Sequence, residues 1–322
     1  MITASCWINF CQNNKYMKKI KLIIALSIIP VSTFACDICG CGVGSSYLGL
    51  LPEFSRHAFG LRYRYNSLLS HIGAGGTTTY LTSKEYYRTL ELWTGWNIGR
   101  RFRIMASVPY AFNKRSGQTA RGTKNGPGDI TFTGYYQLFD SRRRHPLSKG
   151  LVQNVWIGGG IKLPTGKYNT ADKTNMATNT NLFQLGTGSV DYLLVTTYDG
   201  RYKQTGLNFS TSYKINAINK HEYSYGNKFS ASIQVYQQFN LPGKLKLAPN
   251  AGVTYENSAK DIDNKIIVDM SGGNLLMGTL GAELSWKKIN VGANWQTAFS
   301  QNLAMGMAKA KNRGMVHMAL AF

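Results

Sequence analysis

Apolar and polar residues alternate along this chain with a period of two, and the alternation recurs in about twelve segments of roughly ten residues. In one segment Phe102, Ile104, Ala106, Val108, Tyr110 and Phe112 share a face, while Arg101, Arg103, Met105 and Ser107 share the other. In another, Phe229, Ala231, Ile233, Val235 and Phe239 oppose Lys228, Ser230, Ser232, Gln234 and Gln238. A third sets Ile289, Val291, Ala293, Trp295 and Phe299 against Asn290, Gly292, Asn294 and Gln296. A period of two predicts strands with one greasy and one polar face. No window beyond residue 35 is apolar for long enough to cross a bilayer as a helix.

A soluble sandwich would alternate in the same way, so the connections between segments decide the class. Long polar connections, "SHIGAGGTTTYLTSK", "NKRSGQTARGTKNGPG", "PTGKYNTADKTNMATNTNLFQLGTGS", "NAINKHEYSYG", "NSAKDIDNKIIVDMSGGN" and "QNLAMGMAKAKN", take turns with "GRR", "DGRYK", "NLPGK" and "KK". "DSRRRHPLSKG" is the one longer member of the second set. That alternation predicts an all-β fold: a closed antiparallel transmembrane β-barrel of about 12 strands over residues 56–322, with long extracellular loops and short periplasmic turns. An even strand number puts both termini in the periplasm of a Gram-negative cell.

Parity and aromatics point the same way. At Trp286-Lys287-Lys288-Ile289 two apolar residues face each other across a two-residue turn, so the outward face continues through the hairpin. Outward aromatics then fall in two belts: Tyr86, Tyr110, Phe229, Tyr255 and Phe299 near the outer rim, and Trp96, Phe102, Phe239, Trp286 and Phe322 near the inner one. The chain ends "RGMVHMALAF", an apolar alternation closing on Phe322. Such an ending resembles the signal by which bacterial outer-membrane barrels engage their assembly machinery.

The first residues read as an address. From Met17, where translation is expected to begin, come Lys18, Lys19 and Lys21, then an apolar run from Leu22 to Phe34, with Thr33 and Ala35 at the small-residue cleavage positions. Residues 1–35 are therefore expected to be a signal peptide. Its removal takes away Lys15, Lys18, Lys19 and Lys21 and no acid, leaving +18 from the chain's +22. On an exported barrel that excess fits anionic lipid head groups, including lipopolysaccharide, or anionic solutes in a pore, and not nucleic acid.

The inward face carries Arg62, Arg64, Arg103, Lys162, Lys214 and Lys246 against Glu91, Asp191 and Glu283. These are the candidate pore-lining charges, and a net basic lumen would concentrate anionic or amphipathic solutes; mutual pairing across the wall is the other reading. Residues 36–55 form a Cys-rich segment, a periplasmic linker or a small plug, opening on "CDICGCG". Cys36, Cys39 and Cys41 can converge on one Cu or Zn ion, two of them can form a disulfide in an oxidising compartment, or Cys36 can carry a lipid. No other cofactor is implied. His57, His71, His145, His221 and His317 are dispersed with no nucleophile, carboxylate or metal spacing around them, so no enzyme is expected. The glycines of "GAGG" and "GGGIKLPTG" do not lie between a strand and a helix and read as wall and turn residues, not phosphate cradles.

Three stretches, "GPGDITF" (126–132), "GGGIKLPTGKYN" (158–169) and "LGTGSVDYLLVTTY" (185–198), resemble in order and spacing the outer-membrane barrels named for the meta-pathway of phenol degradation. The resemblance covers about residues 56–322 and implies a channel or transporter for small, aromatic or hydrophobic compounds; the family offers no catalytic residues to carry over. The Cys-rich segment departs from it. Two functions remain open at this level. One is a channel for small solutes of hydrophobic, aromatic or anionic character; the other is a closed structural or ligand-binding barrel, or a metal-linked transporter using the cysteines.

Overall fold

A computed structural model describes residues 57–118, 121–141, 150–172 and 181–322. The cysteine cluster, the signal segment, His145 and most of "DSRRRHPLSKG" lie outside the described residues.

Twelve antiparallel strands close into a barrel. They are β1 (Ala58–Ser70), β2 (Ser83–Ile98), β3 (Phe102–Gly117), β4 (Thr131–Asp140), β5 (Leu151–Lys162) and β6 (Asp191–Tyr202). β7 (Thr205–Ile215), β8 (Lys228–Gln237), β9 (Leu245–Ser258), β10 (Gly273–Trp286), β11 (Ile289–Leu303) and β12 (Lys309–Ala321) follow. Each strand pairs with the next in sequence, and β12 pairs with β1, from Ala58↔Ala321 to Leu69↔Lys309. Closure leaves no strand edge, as a sheet surrounded by hydrocarbon requires.

The parity expected from the sequence sets the two faces. Phe59, Leu61, Leu90, Leu92, Ile104, Val108, Val253, Val291 and Val316 are exposed on the outer surface. Their strand neighbours Arg62, Glu91, Arg103, Thr254, Asn290 and His317 are buried inside. Trp286 faces Ile289 across the Lys287-Lys288 turn, with Lys287 at φ 52°. The girdle residues Trp96, Phe102, Tyr110, Phe239, Tyr255, Trp286, Phe299 and Phe322 are all outward and exposed. From Trp96 to Tyr86 the chain rises ten residues, which at about 3.3 Å per residue and a tilt of about 40° is roughly 25 Å, the height of a bilayer's apolar band. Phe322 is tied down: its backbone N–H donates to the His57 carbonyl at 2.9 Å, and its ring meets Trp96 edge-on at 5.9 Å.

Two connections lose most of their length to strands paired with the barrel wall, and "NAINKHEYSYG" and "NSAKDIDNKIIVDMSGGN" join in a small three-stranded sheet of Tyr223–Ser224, Ile262–Asp263 and Ile266–Ile267. "QNLAMGMAKAKN" is mostly strand, because β11 runs to Leu303 and β12 starts at Lys309, leaving only residues 304–308 as a connection. The cause is apolar: Leu303, Ala304, Ala308 and Ala310 are buried on the inner face, and the Gln301 side chain bonds both backbone groups of Ala310 where the ladder becomes irregular. "NKRSGQTARGTKNGPG" likewise is no open loop, since Arg121–Pro127 folds back on β3 as a hairpin, Tyr110↔Pro127 to Ser116↔Arg121.

Leu92 lies near the middle of the outward band, so Leu92→Arg should destabilise the folded barrel in phosphatidylcholine vesicles by about 2–4 kcal/mol. Lys287→Arg, at the exposed turn, should change it by less than about 0.5 kcal/mol. Equilibrium urea titration of the vesicle-inserted protein reads both, and equal effects would place Leu92 outside hydrocarbon.

Candidate functional site at the barrel mouth

The three stretches "GPGDITF", "GGGIKLPTGKYN" and "LGTGSVDYLLVTTY" meet at one point on the loop-bearing rim. Asp129, just ahead of β4, supplies a buried carboxylate. It accepts from Lys162 Nζ at 2.5 Å, from the Gly166 N–H at 2.9 Å, and from the Thr187 N–H at 2.9 Å and hydroxyl at 3.2 Å. Lys162, the last residue of β5, also reaches Thr187 Oγ1 and pairs with Asp191 at 2.8 Å. Asp191 opens β6, accepts from the Ser189 hydroxyl at 2.7 Å and lies 3.4 Å from Lys214 Nζ. Thr165 completes the latch by donating to the Gly128 carbonyl while accepting the Ile130 N–H, both at 2.9 Å.

Glycine is required here by contact. A Cβ on Gly166 would stand 2.7 Å from the Leu185 carbonyl oxygen, and one on Gly186 would collide with Asp129 Oδ1. The β5–β6 connection is thereby drawn back on itself and held at both ends. Inside it, Tyr168 accepts a bond from Asn181 Nδ2 at 2.7 Å, and burial raises its phenol above the ordinary value, so it stays a neutral hydroxyl.

The latch aims the segment 181–185 across the mouth. Leu182 and Phe183 are buried in an apolar cluster with Leu68 of β1, Tyr87 of β2, Leu275 and Met277 of β10, Leu303 of β11 and Ala310 of β12. In a twelve-strand ring the gap between β5 and β6 lies opposite the gap between β11 and β12. The strap is therefore rooted on one wall and packed on the other. Phe183 meets the Tyr87 ring edge-on at 6.4 Å and lies 4.6 Å beneath the Arg115 guanidinium, while Lys124 Nζ donates to its carbonyl at 2.7 Å. Arg115 is itself held by Glu85 at 2.8 Å, and Glu85 also accepts from Ser70 and Tyr87.

Beside and below the strap the inward charges bind one another. Glu91 pairs with Arg64 at 2.8 Å and Arg62 at 3.4 Å; Glu256 pairs with Arg313 through two bonds at 2.7 and 3.0 Å and with Lys228 at 3.4 Å. Of the charges singled out in the sequence, Lys162 and Lys214 join the latch through Asp191, and Arg62, Arg64 and Glu91 form the mid-barrel triad. Arg103 and Glu283 are buried on the inner face, and Lys246 is half-buried on it near the short turns. Towards the short-turn end Ala58, Trp93, Met105, Tyr135, Trp156, Val195 and Ala319 form a second inward apolar cluster.

Sequence reasoning put Lys228 and Arg313 on the polar face without singling them out, and missed Asp129, Glu256 and both apolar clusters. A signal existed for the clusters: at Leu92-Trp93, Tyr192-Leu193-Leu194-Val195 and Leu275-Leu276-Met277 both parities are apolar, so the inner face there cannot be polar. For Asp129 and Phe183 no periodic signal exists, because they lie outside the strands.

Asp129→Ala should leave Lys162 buried with one carboxylate where it had two, and should destabilise the barrel by about 3 kcal/mol. Hydrogen exchange locates the loss: the Gly166 and Thr187 amides should exchange much faster while the β10–β11 ladder keeps its protection. Unchanged protection at those two amides would remove the latch.

Set beside known proteins, the chain matches a family profile described as "Putative MetA-pathway of phenol degradation" over residues 70–303. No curated protein matches it in sequence. Among solved structures, an outer membrane channel from Pseudomonas putida F1 superposes with a TM-score of 0.61 at 14% identity, covering 92% of this chain and 100% of that one. The transport unit of the autotransporter AIDA-I from Escherichia coli gives a TM-score of 0.45 at 10% identity, over 87% of this chain and 94% of that one. The profile spans most of the barrel, and the Pseudomonas channel shares its fold. The chain belongs to the family described as "Putative MetA-pathway of phenol degradation", and it is an outer-membrane β-barrel.

Proposed function

We propose that this barrel is an outer-membrane channel for small, weakly polar or aromatic solutes, with the loop-bearing rim outside and both termini in the periplasm. The observation that carries the reading is the apolar strap. A solute entering from the rim meets the strap of Leu182 and Phe183 packed on Leu275 and Met277, and the charges beside it, Arg115 with Glu85 and Lys228 with Glu256, are held in ion pairs. Shedding water onto such a surface favours apolar solutes at about 25 cal/mol per Å² of buried area, and gives an ion no substitute for its hydration shell.

The paired charges support the same preference. Arg62, Arg64, Lys162, Lys214, Lys228 and Arg313 each lie within 3.4 Å of a carboxylate, so each inward cation is partly neutralised locally and only the surplus of these shared pairs is left to gather anions. The Pseudomonas relative in fold is a channel, and the family's description names phenol degradation; both agree with passage of small aromatic compounds. The strap is a short loop segment, and loops are the elements that open most readily, whereas the wall is fixed by its ladder.

The test is flux through the reconstituted protein. Wild type should admit benzyl alcohol into liposomes faster than benzoate of the same size, and Leu182→Ala with Phe183→Ala should raise ionic conductance in planar bilayers several-fold. A double variant that conducts like wild type would contradict the strap, and equal rates for the two solutes would contradict the preference. Orientation is read separately: a cysteine placed at Ile266, exposed on the β9–β10 loop, should react with an impermeant maleimide on intact cells. Labelling only after the outer membrane is broken would invert the barrel.

A further inference from the structure

On the outer surface of the loop-bearing rim, basic residues are gathered on one side. Lys84 and Arg88 lie two residues either side of Tyr86 on β2, and Lys114 of β3 faces Tyr86 directly across the ladder. All three are exposed, and each of Lys84 and Arg88 is a diagonal neighbour of Lys114. Among the described residues none of the three forms an ion pair, while Arg115, which alternates inward next to Lys114, is held by Glu85. The carboxylates of β1–β3, Glu85 and Glu91, both point into the barrel. The outward cations therefore repel one another with no acid on their face of these strands.

Their height is equally informative. Arg88 is flanked across the two ladders by Tyr65 and Phe112, inside the outer aromatic belt. Outward positions near the same rim on the other strands hold Ile161, Tyr192, Tyr213, Phe229, Tyr255 and Leu276. A guanidinium at the edge of hydrocarbon, with ammonium groups above and beside it, matches an anion carried by a lipid and lying at that depth.

We propose that the outward face of β1–β3 binds a phosphorylated glycolipid of the outer leaflet, with Lys84, Arg88 and Lys114 taking its phosphate groups and Tyr65, Tyr86 and Phe112 lying against its acyl and sugar portions. The site rests on the orientation proposed above, but not on the channel reading. The phosphates sit at the level where Arg88 snorkels outward, and the three cations neutralise them together.

The experiment uses the full barrel in detergent micelles with hexa-acylated bisphosphoryl lipid A as probe, read by native mass spectrometry and by a titration. Lys84→Gln, Arg88→Gln and Lys114→Gln combined should weaken binding about tenfold or more. The charge-keeping set K84R, R88K and K114R should retain it, and Lys287→Gln with Lys288→Gln at the opposite turn should not matter. Wild type should bind lipid A lacking both phosphates at least tenfold more weakly, a comparison that needs no variant to fold. Equal binding by the triple Gln variant, equal binding of the dephosphorylated lipid, or displacement by inorganic phosphate at the lipid's own concentration would each overturn the site. Detergent binding does not depend on orientation, so lipid binding with failed surface labelling would overturn the outer-leaflet placement together with the orientation, and loss of lipid binding with successful labelling would overturn the site alone.

Discussion

Everything in this molecule follows from the price hydrocarbon sets on an unpaired peptide group. Each N–H and C=O in the bilayer must find a partner within the protein, and a sheet can arrange that only by returning β12 to β1. Closure then fixes the rest. One face of every strand meets lipid and must be apolar; the other encloses an interior too narrow for its side chains to ignore one another. The inward triad of Arg62, Arg64 and Glu91 and the pairing of Glu256 with Arg313 and Lys228 are consequences of that confinement.

The mouth solves a second problem with the same materials. A connection of the length between β5 and β6 costs little entropy to close but has no preferred shape of its own. Asp129 gives it one, by accepting bonds from both ends of the connection and from the lysine that ends β5. The two glycines whose Cβ atoms would strike the latch, Gly166 and Gly186, belong to the stretches by which the family resemblance was read. Those stretches thus mark a structural device, and its product is the placement of Leu182 and Phe183 against the far wall.

Much of this was legible beforehand because period two is a strong signal when it repeats. Strand number, the inward and outward parity and the girdle from Trp96 to Phe322 need only the alternation and the connection lengths. The failures have physical causes. "QNLAMGMAKAKN" looked like a loop because its glycine and lysines mask Leu303, Ala304, Ala308 and Ala310, which serve the inner apolar cluster. The lumen's apolar share is hard to see in the sequence because where both parities are apolar, as at Leu92-Trp93 and Leu275-Leu276-Met277, the inward residue resembles its outward neighbour. Asp129 and Phe183 could not be found by periodicity at all, since loops position them through tertiary contacts.

The central claim is that the exposed apolar face of the barrel lies in lipid. Nitroxide labels placed singly at positions 289 to 296 of β11, in vesicles, report it through collisions with oxygen, which concentrates in hydrocarbon, and with a water-soluble nickel chelate, which does not. The account predicts a period-two alternation, with Ile289, Val291, Ala293 and Trp295 oxygen-accessible and Asn290, Gly292, Asn294 and Gln296 shielded from it. Uniform accessibility, or nickel access at the four apolar positions, would contradict it.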